Sequence, residues 1–397
     1  MERRRIVILG TNVAGYTAAI ELSTLVAGSH DVIVVANTHS FLFLPSLAGF
    51  PFGGCNEEDI MFDVRSSYAH HSIRFIEADI THLDLDAQKI FTRTTDPIAY
   101  DYVLITTGAL ADCDYIAGFR EHGNTILGIC AATRTRDAWQ QFLTDPGPVV
   151  VGVAQESACY GAAYEFLFNM RRNLMKRGLS GVVPLAFVTA EPSPAHFGIG
   201  GFHNTEKMCR WMLEHYHIDA SFSTSIRAVE PDAVVLGTGE RLRSRLTMIM
   251  PRYIGVDAVR NTSGLAGDLG LIDVDGRYRH PRHHNVYAAG AAVNIRQLVS
   301  TPVPCGVSKT GYLSEQMAHV AALNILADIE GSPAIDHSHD DLIAMCRMEG
   351  GTLDFAGREA DKSHPLWYDF SMPGPEAQWA MDTLWKYFPV AEKSAAA

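Results

Sequence analysis

The sequence predicts an α/β fold with two Rossmann-like domains, the first assembled from both ends of the chain, and a small C-terminal segment. Three observations support this prediction. An apolar strand runs into a turn of small residues and then a helix twice, first at Ile6 and again at Pro148. Two more apolar strands end in glycine turns, at Tyr100–Ala109 and His283–Asn294, as expected for strands returning to the first sheet. The predicted domains are residues 1–115 with 275–330, residues 116–274, and residues 331–397.

The composition restricts the class of protein. With 397 residues, 47% of them hydrophobic, the chain can bury a large core. Its net charge of −13 argues against a nucleic acid partner, because phosphate binding needs a basic surface. No apolar run reaches the roughly 20 residues that span a bilayer, and the apolar part of "MERRRIVILG" is too short for a secretory signal. We therefore expect a cytoplasmic protein. A homo-oligomer is also expected.

The cysteines are spread along the chain without CxxC spacing. In a cytoplasmic enzyme this distribution favours reactive or buried thiols over a disulfide framework, and it predicts no metal site. Most of the seven are expected to be inert; they are Cys55, Cys113, Cys130, Cys159, Cys209, Cys305 and Cys346.

The first strand–turn–helix unit, "RRIVILGTNVAGYTAAIEL", resembles a dinucleotide fingerprint with its middle glycine replaced by Asn12. Gly10 permits the tight turn, and Gly15 lets the helix approach the strand. Ala14 opens the helix, whose N-terminus faces the pyrophosphate. The acid expected at the end of the second strand is absent, and Asn37 is its predicted substitute. The alternative is a strand–helix unit without a ligand.

Two later segments favour a ligand. "YDYVLITTGA" is a strand that ends at Thr107 and Gly108, a turn typical of flavoproteins with two dinucleotide domains. "HHNVYAAGAAVN" places a glycine turn, Gly290, at the arm of the cofactor, although Ala291 replaces the usual aspartate. Together the three segments predict FAD as the cofactor.

The second unit, "VVVGVAQESACYGAAYEF", lacks the fingerprint for NADH. After Gly152 there is no glycine until Gly161, and Gln155 and Glu156 are expected to block or repel a pyrophosphate. Electrons must then enter by another route, and Cys159 at the start of the helix is the candidate. We expect the helix N-terminus to lower the pKa of its thiol. The alternative is a small buried cysteine at a tight helix start.

Taken together, the sequence resembles the sulfide:quinone oxidoreductases, flavoproteins whose fold is of the glutathione-reductase type. The resemblance is carried by "PGPVVVGVAQESACYGAAYEF", "EPSPAHFGIGGF" and "STPVPCGVSKTGYLSEQM". The last segment is similar to the loop and helix beneath the flavin in that family. It implies that Lys309, Thr310 and Gly311 contribute to the cofactor site.

The same resemblance assigns three redox cysteines. Cys130, Cys159 and Cys346 each lie in a local sequence that matches the family's. It implies that Cys159 and Cys346 face each other across the flavin, joined by a disulfide or by added sulfur atoms. Hydrosulfide would attack this bridge and build a persulfide that leaves as polysulfide or elemental sulfur. Cys130 would lie near the edge of the flavin.

Two further residues match the family's groups for proton handling. Glu165 follows Cys159 along the helix, and His196 lies in "PAHFGIG"; imidazole has a pKa suited to deprotonating H₂S. The alternatives are a helix-capping charge and a surface-loop histidine. Arg134 stands where the family often has a histidine, and as a permanent cation it could attract hydrosulfide.

The resemblance also implies that the electrons pass to a membrane quinone. Its predicted pocket combines Gly306 with three aromatic residues of "LWYDFSMPG", namely Trp367, Tyr368 and Phe370. Farther on, an apolar stripe in "AQWAMDTLWKYF" has helical spacing, which favours packing on the core, with peripheral contact at the inner face of the cell membrane as the alternative.

Other functions remain open at this point. A flavocytochrome-c-type sulfide dehydrogenase flavoprotein shares the cysteine pair but is normally exported. A non-catalytic flavin thiol sensor or sulfur-carrier docking protein also fits the altered turns. A type II NADH dehydrogenase is disfavoured by the lost second fingerprint.

Overall fold

The computed structural model describes residues 2–201, 203–295, 297 and 299–336, and the backbone of three later strands within 343–373. Side chains are described up to residue 336, except at positions 202–204, 296 and 298. Trp367 and the apolar stripe of "AQWAMDTLWKYF" lie outside the described residues.

The first part of the chain contains both alternating β and α segments and a run of consecutive strands, β5 to β10 (residues 74–111). In chain order they are β1 (Arg5–Leu9), α1 (Val13–Val26), β2 (Asp31–Ala36), β3 (Ser40–Leu42), α2 (Glu57–Ile60), β4 (Met61–Asp63), α3 (Arg65–His70), β5 (Arg74–Glu77), β6 (Ile80–Asp84), β7 (Lys89–Thr92), β8 (Ile98–Ala99), β9 (Tyr102–Ile105), β10 (Ala109–Ala111), α4 (Phe119–His122) and α5 (Ile129–Phe142).

The later elements begin with alternating strands and helices, continue with the consecutive strands β13 to β18 (residues 218–255), and include three strands within residues 343–373. They are β11 (Val149–Val153), α6 (Tyr160–Lys176), β12 (Leu185–Thr189), α7 (His203–His215), β13 (Ile218–Ser221), β14 (Ile226–Glu230), β15 (Ala233–Leu236), β16 (Arg241–Arg243), β17 (Leu246–Met250), β18 (Tyr253–Gly255), α8 (Asp257–Arg260), β19 (Val286–Ala288), α9 (Gly311–Glu330), β20 (Ile343–Met348), β21 (Thr352–Gly357) and β22 (Tyr368–Pro373).

A five-stranded parallel sheet forms the centre of the first body, in the order β19-β9-β1-β2-β5. Its strands read as continuous β-branched and apolar runs because helices cover such sheets on both faces; Ile6, Val7, Ile8 and Leu9 are fully buried. The last strand of this sheet, β19, comes from residues 286–288. Strands from the first 105 residues and from residues 286–288 therefore form one sheet.

A second parallel sheet has the order β13-β12-β11-β17. The antiparallel pair β10 and β18 follows the carboxyl ends of β9 and β17, with Ala111 opposite Tyr253. This pair connects the two sheets at the edges where nucleotide-type sites form.

The predicted fold class is confirmed, since the protein is a mixed α/β chain with parallel sheets. The predicted strands at Ile6, Tyr100–Ala109, Pro148 and His283–Asn294 correspond to β1, β9, β11 and β19. Among the described residues, no helix has both the length and the apolar character needed to cross a bilayer.

Candidate functional site

The residues predicted to bind the cofactor meet at one edge of the first sheet. Gly10 follows β1, Asn37 follows β2, Thr107 follows β9, and Gly290 follows β19. Because these strands are parallel neighbours, their carboxyl ends lie side by side. The structure thus brings together segments that are up to 280 positions apart in the sequence.

Two glycines make this edge possible. Gly10 has φ +109°, and a Cβ added at Gly15 would lie 2.1 Å from the Gly10 carbonyl oxygen. Neither position therefore accepts a side chain without displacing backbone. Asn12 caps α1, because its side-chain oxygen accepts a hydrogen bond from the Val13 amide at 3.0 Å.

The loop before α9 closes the other side of the same edge. The Lys309 ammonium donates to the carbonyl oxygens of Ala291 (3.0 Å) and Val293 (2.7 Å), and burial lowers its pKa to about 7. Thr310 caps α9 through its hydroxyl, which accepts from the Leu313 amide at 3.2 Å. Gly311 is the first residue of α9, which packs along α1.

These residues fit a dinucleotide cofactor. The amides of Ala14 and Gly15 have no intrahelical acceptor, as in the first turn of any α-helix, and α1 directs them at the edge where a pyrophosphate would bind. The Thr107 hydroxyl oxygen is buried and has no hydrogen-bond partner among the described residues. A Cβ added at Gly108 would meet nothing within 4 Å, so the turn leaves room for a ligand.

The equivalent edge of the second sheet is filled by the protein's own side chains. The Gln155 amide pairs with the Ile226 backbone through two hydrogen bonds of 3.0 and 3.1 Å. The Glu156 carboxylate pairs with Arg252 at 2.7 Å, and the Glu156 backbone is left-handed at φ +61°. The predicted block to a pyrophosphate therefore has a specific form, in which the two side chains are fixed in place.

The loop at residues 303–309, which we call the flavin-side loop, lies directly on this turn. The Glu156 amide donates to the Pro304 carbonyl at 2.7 Å, and the Lys309 amide donates to the Ala158 carbonyl at 3.1 Å. Gly306 lies between the two segments: its amide donates to Ser157 at 2.9 Å, and its carbonyl accepts from the Tyr160 hydroxyl at 3.0 Å. The turn at Cys159 and the cofactor edge are thereby joined.

Cys159 is the N-cap residue of α6, where the sequence predicted it. The predicted direction of its pKa, however, is wrong. Burial raises the pKa of the thiol to about 11, and a hydrogen bond with the Tyr253 side chain offsets only part of this effect. The favourable field of a helix N-terminus is thus outweighed here by the loss of solvation. At neutral pH the isolated group is a thiol rather than a thiolate.

A second loop, residues 191–201, packs on the flavin-side loop. The Ser308 amide donates to the Phe197 carbonyl at 3.2 Å, and a Cβ added at Gly198 would lie 1.9 Å from the Gly306 carbonyl oxygen. Ala195 and Phe197 are left-handed, at φ 56° and 53°, which costs about 1–2 kcal/mol for each residue with a Cβ. Some other interaction must therefore hold the loop.

The Glu191 carboxylate holds the loop at residues 191–201 in place. This fully buried group accepts hydrogen bonds from the Tyr164 hydroxyl (2.9 Å), the Thr189 hydroxyl (3.0 Å) and the Phe197 amide (2.9 Å). The Tyr164 hydroxyl in turn accepts from the Ala195 amide at 3.2 Å. Burial raises the pKa of Glu191 to about 7, against the lowering effect of its hydrogen bonds.

His196 and Glu165 are both buried, at 6% and 3% exposed. The surface-loop alternative for His196 is therefore wrong, and so is the helix-capping alternative for Glu165, which lies within α6. Burial lowers the pKa of His196, so the imidazole is neutral at neutral pH. Its Nδ1 atom has no hydrogen-bond partner among the described residues.

We predict that Glu191 makes the fold less stable as pH rises. Because the pKa of Glu191 lies near 4.5 when unfolded and about 7 when folded, the folded chain holds a proton that the unfolded chain loses between these values. This carboxyl should lower the free energy of unfolding by roughly 3 kcal/mol between pH 4.5 and 8. Glu191→Gln, which mimics the protonated form, should lack that component in urea unfolding series. The exposed Glu240→Gln serves as control, and parallel curves for wild type and Glu191→Gln would refute the prediction.

For the other predicted site residues the structure gives only their exposure or the position of their backbone. Cys130 is exposed on α5, as is Arg134. The backbone of β20, which carries Cys346, packs against α6 and α9. The side chains of Cys346, Tyr368 and Phe370 lie outside the described residues, as does the whole of Trp367.

Three residues of the site were not identified from the sequence: Glu191, Arg252 and Tyr253. A signal for them exists, since each follows the carboxyl end of a strand in the second sheet, β12 or β17. In parallel sheets, side chains just beyond this edge are the ones that converge.

Comparisons with known proteins show which proteins this chain is similar to. The chain is 29% identical over 354 residues to the sulfide-quinone reductase of Aquifex aeolicus (strain VF5), covering 88% of this chain and 81% of the relative. A crystal structure of the sulfide:quinone oxidoreductase of Aquifex aeolicus superposes with a TM-score of 0.91 at 27% identity, covering 99% of this chain and 92% of that one. The resemblance predicted from the sequence is therefore confirmed.

More distant proteins share the fold. The NDH2 of Plasmodium falciparum, solved in complex with NADH, has a TM-score of 0.73 at 11% identity and covers 97% of this chain and 94% of that chain. Residues 4–306 match the family described as pyridine nucleotide-disulphide oxidoreductase. Because this match spans well over half of the sequence, the chain belongs to the pyridine nucleotide-disulphide oxidoreductase family.

Proposed function

We propose that this chain is an FAD-dependent enzyme that oxidises sulfide to polysulfide or elemental sulfur and passes the electrons to a quinone. One observation carries the proposal. The turn that would bind NADH is closed by Gln155 and Glu156, and the flavin-side loop docks Cys159 onto the cofactor edge instead. The similarity to the Aquifex aeolicus sulfide-quinone reductase supports the same reaction.

The cofactor site uses the residues at the edge of the first sheet. The amides of Ala14 and Gly15 would bind the pyrophosphate, Asn37 the ribose, and Thr107 with the turn at Gly290 the remaining arm. Lys309 fixes the turn at Ala291 through its hydrogen bond. When bound, FAD accepts an electron pair from sulfur and delivers it to the quinone.

The proposed redox pair is Cys159 and Cys346. Hydrosulfide attacks Sγ of Cys159, a new S–S bond forms, and the bond to Cys346 breaks with its electron pair left on the Cys346 thiolate. Overall, one hydrosulfide gives one sulfur atom, one proton and two electrons. A raised pKa at Cys159 does not oppose this step, because a disulfide sulfur carries no proton. The packing of β20 against α6 supports this pairing.

His196 and Glu165 are the proposed proton-handling groups. A neutral imidazole can take the proton of H₂S to give the hydrosulfide nucleophile. Its burial keeps it neutral, and the Glu191 network holds the loop that carries it. Glu165 is a second buried carboxyl on α6, the helix that begins just after Cys159.

For the acceptor, we propose a quinone pocket formed by Gly306 with Trp367, Tyr368 and Phe370. Gly306 already has a packing role, because a Cβ there would lie 2.5 Å from the Ser157 carbonyl oxygen. Cys130 would lie near the flavin's edge, as the resemblance implies. A homo-oligomer in the cytoplasm, in peripheral contact with the inner face of the cell membrane, completes the proposal.

Steady-state turnover separates this proposal from its alternatives. The purified flavin-loaded protein should reduce decylubiquinone with sulfide as donor, whereas NADH should not replace sulfide. Turnover with NADH would show that Gln155 and Glu156 do not prevent NADH from binding. Reduction of cytochrome c in place of the quinone would indicate a flavocytochrome-type dehydrogenase, and no turnover with either acceptor would indicate a thiol sensor.

A further inference from the structure

Tyr253 lies at the centre of the site, between the two sheets. It is the first residue of β18 and pairs with Ala111 of β10, the strand that follows the predicted flavin turn at Thr107–Gly108. On the other side it follows β17, the neighbour of β11 in the second sheet. The backbone thus fixes Tyr253 where the cofactor edge and the Cys159 turn meet.

The phenol of Tyr253 contacts two groups that the proposed reaction uses. The Tyr253 side chain interacts with the Cys159 thiol and lowers its pKa, against the larger effect of burial, and the Ala158 carbonyl next to Cys159 accepts from the Lys309 amide at 3.1 Å. The Tyr253 ring centroid lies 5.8 Å from the Lys309 ammonium. Desolvation raises the pKa of Tyr253 well above its ordinary value, so the hydroxyl keeps its proton and can act as a donor at any physiological pH.

The position of the ring is fixed through its neighbour. Arg252 pairs with Asp112 at 2.9 Å and with Glu156 at 2.7 Å, and its guanidinium lies 3.6 Å from the Tyr115 ring centroid. Glu156 belongs to the turn that leads into Cys159. The strand carrying Tyr253 and the turn carrying the thiol are therefore held together by an ion pair that is independent of the sulfur itself.

We propose that Tyr253 is a further catalytic residue, whose hydroxyl donates a hydrogen bond to Sγ of Cys159 and stabilises negative charge on that sulfur. This role rests on the proposed function, and it applies to one step of the proposed reaction, the release of sulfur. There a second hydrosulfide attacks the outer sulfur of the Cys159 persulfide, the S–S bond breaks, H₂S₂ leaves, and the electron pair stays on Sγ of Cys159. No proton leaves Tyr253 in this step.

The hydrogen bond can be tested on the thiol alone. In the reduced flavin-loaded protein, the rate of iodoacetamide alkylation at Cys159 is measured from neutral to alkaline pH by peptide mass spectrometry. Tyr253→Phe keeps the ring and its contact with Lys309 and removes only the hydroxyl. Because the hydrogen bond favours the thiolate over the thiol, the variant should be alkylated about tenfold more slowly at a given pH.

Two controls accompany this measurement. Tyr100→Phe removes another buried hydroxyl, far along the chain in the segment between β8 and β9, and should leave the Cys159 rate unchanged. The exposed Cys130 gives an internal reference in the same digest. Equal Cys159 labelling in wild type and Tyr253→Phe at every pH, including no labelling in either, overturns the proposal.

A turnover assay then tests whether the Tyr253 hydroxyl contributes to catalysis. Tyr253→Phe should lower kcat for sulfide about tenfold, with KM for decylubiquinone unchanged. A slower alkylation in a protein that does not oxidise sulfide at all would uphold the hydrogen bond and refute the proposed function. A slower alkylation with unchanged kcat would refute the catalytic role.

Discussion

Replacing Cys159 by alanine is expected to abolish the reduction of the flavin by sulfide, and Cys346→Ala should do the same. Each variant removes one half of the proposed disulfide that hydrosulfide would attack, so no persulfide can form with release of a thiolate. The expected loss in the rate of anaerobic flavin bleaching is at least about a thousandfold, as for removal of other covalent catalysts. Stopped-flow absorbance in the visible flavin band measures it.

The remaining cysteines provide matched controls. Cys130→Ala should only slow bleaching, because the resemblance places Cys130 near the flavin's edge rather than in the bridge. Cys209→Ala changes a buried core cysteine of α7 and should leave the rate close to wild type. Full retention of bleaching by Cys346→Ala would show that the wrong pair had been assigned.

Gly15→Ala should remove FAD from the protein. Its Cβ would lie 2.1 Å from the Gly10 carbonyl oxygen and 2.6 Å from the Thr106 hydroxyl, so α1 must move away from β1. Overpacking of this kind costs about 1–3 kcal/mol, and it displaces the amides that would bind the pyrophosphate. We expect the flavin-to-protein absorbance ratio of the purified variant to fall about tenfold or more.

Gly181→Ala is the matched substitution for this experiment, because a Cβ at Gly181 would meet nothing within 4 Å. It should retain full flavin content. An unchanged flavin-to-protein ratio in Gly15→Ala would mean that the cofactor does not bind at the helix N-terminus of α1.

Much of the fold could be predicted from local sequence. Continuous apolar runs such as those at Ile6 and Val149 indicated buried parallel strands, and β1 and β11 confirm them. Gly10 and Gly15 were predicted from backbone requirements that depend on neighbours a few residues away. The position of Cys159 at the start of a helix is also predicted correctly, because it too depends on residues nearby in the sequence.

The predictions that were wrong or incomplete concern properties that depend on contacts between distant segments. The pKa of Cys159 was predicted from its helix alone, yet the burial that controls it comes from packing against distant segments, such as the strand carrying Tyr253. Glu156 was expected to repel a phosphate, and the structure adds an ion pair with Arg252, 96 positions away. The sequence shows Glu191 only as part of a motif. Its hydrogen-bonding role depends on Tyr164 and Phe197, which the tertiary fold brings to it.

We propose that electrons enter this flavoprotein from sulfide at Cys159 and not from NADH. The most direct measurement is an anaerobic titration of the purified protein with sulfide and, in a parallel sample, with NADH, recording the visible flavin band. Sulfide is expected to bleach the flavin, decylubiquinone is then expected to restore its absorbance, and NADH is expected to leave it oxidised. Bleaching by NADH, or an oxidised flavin after excess sulfide, would contradict this proposal.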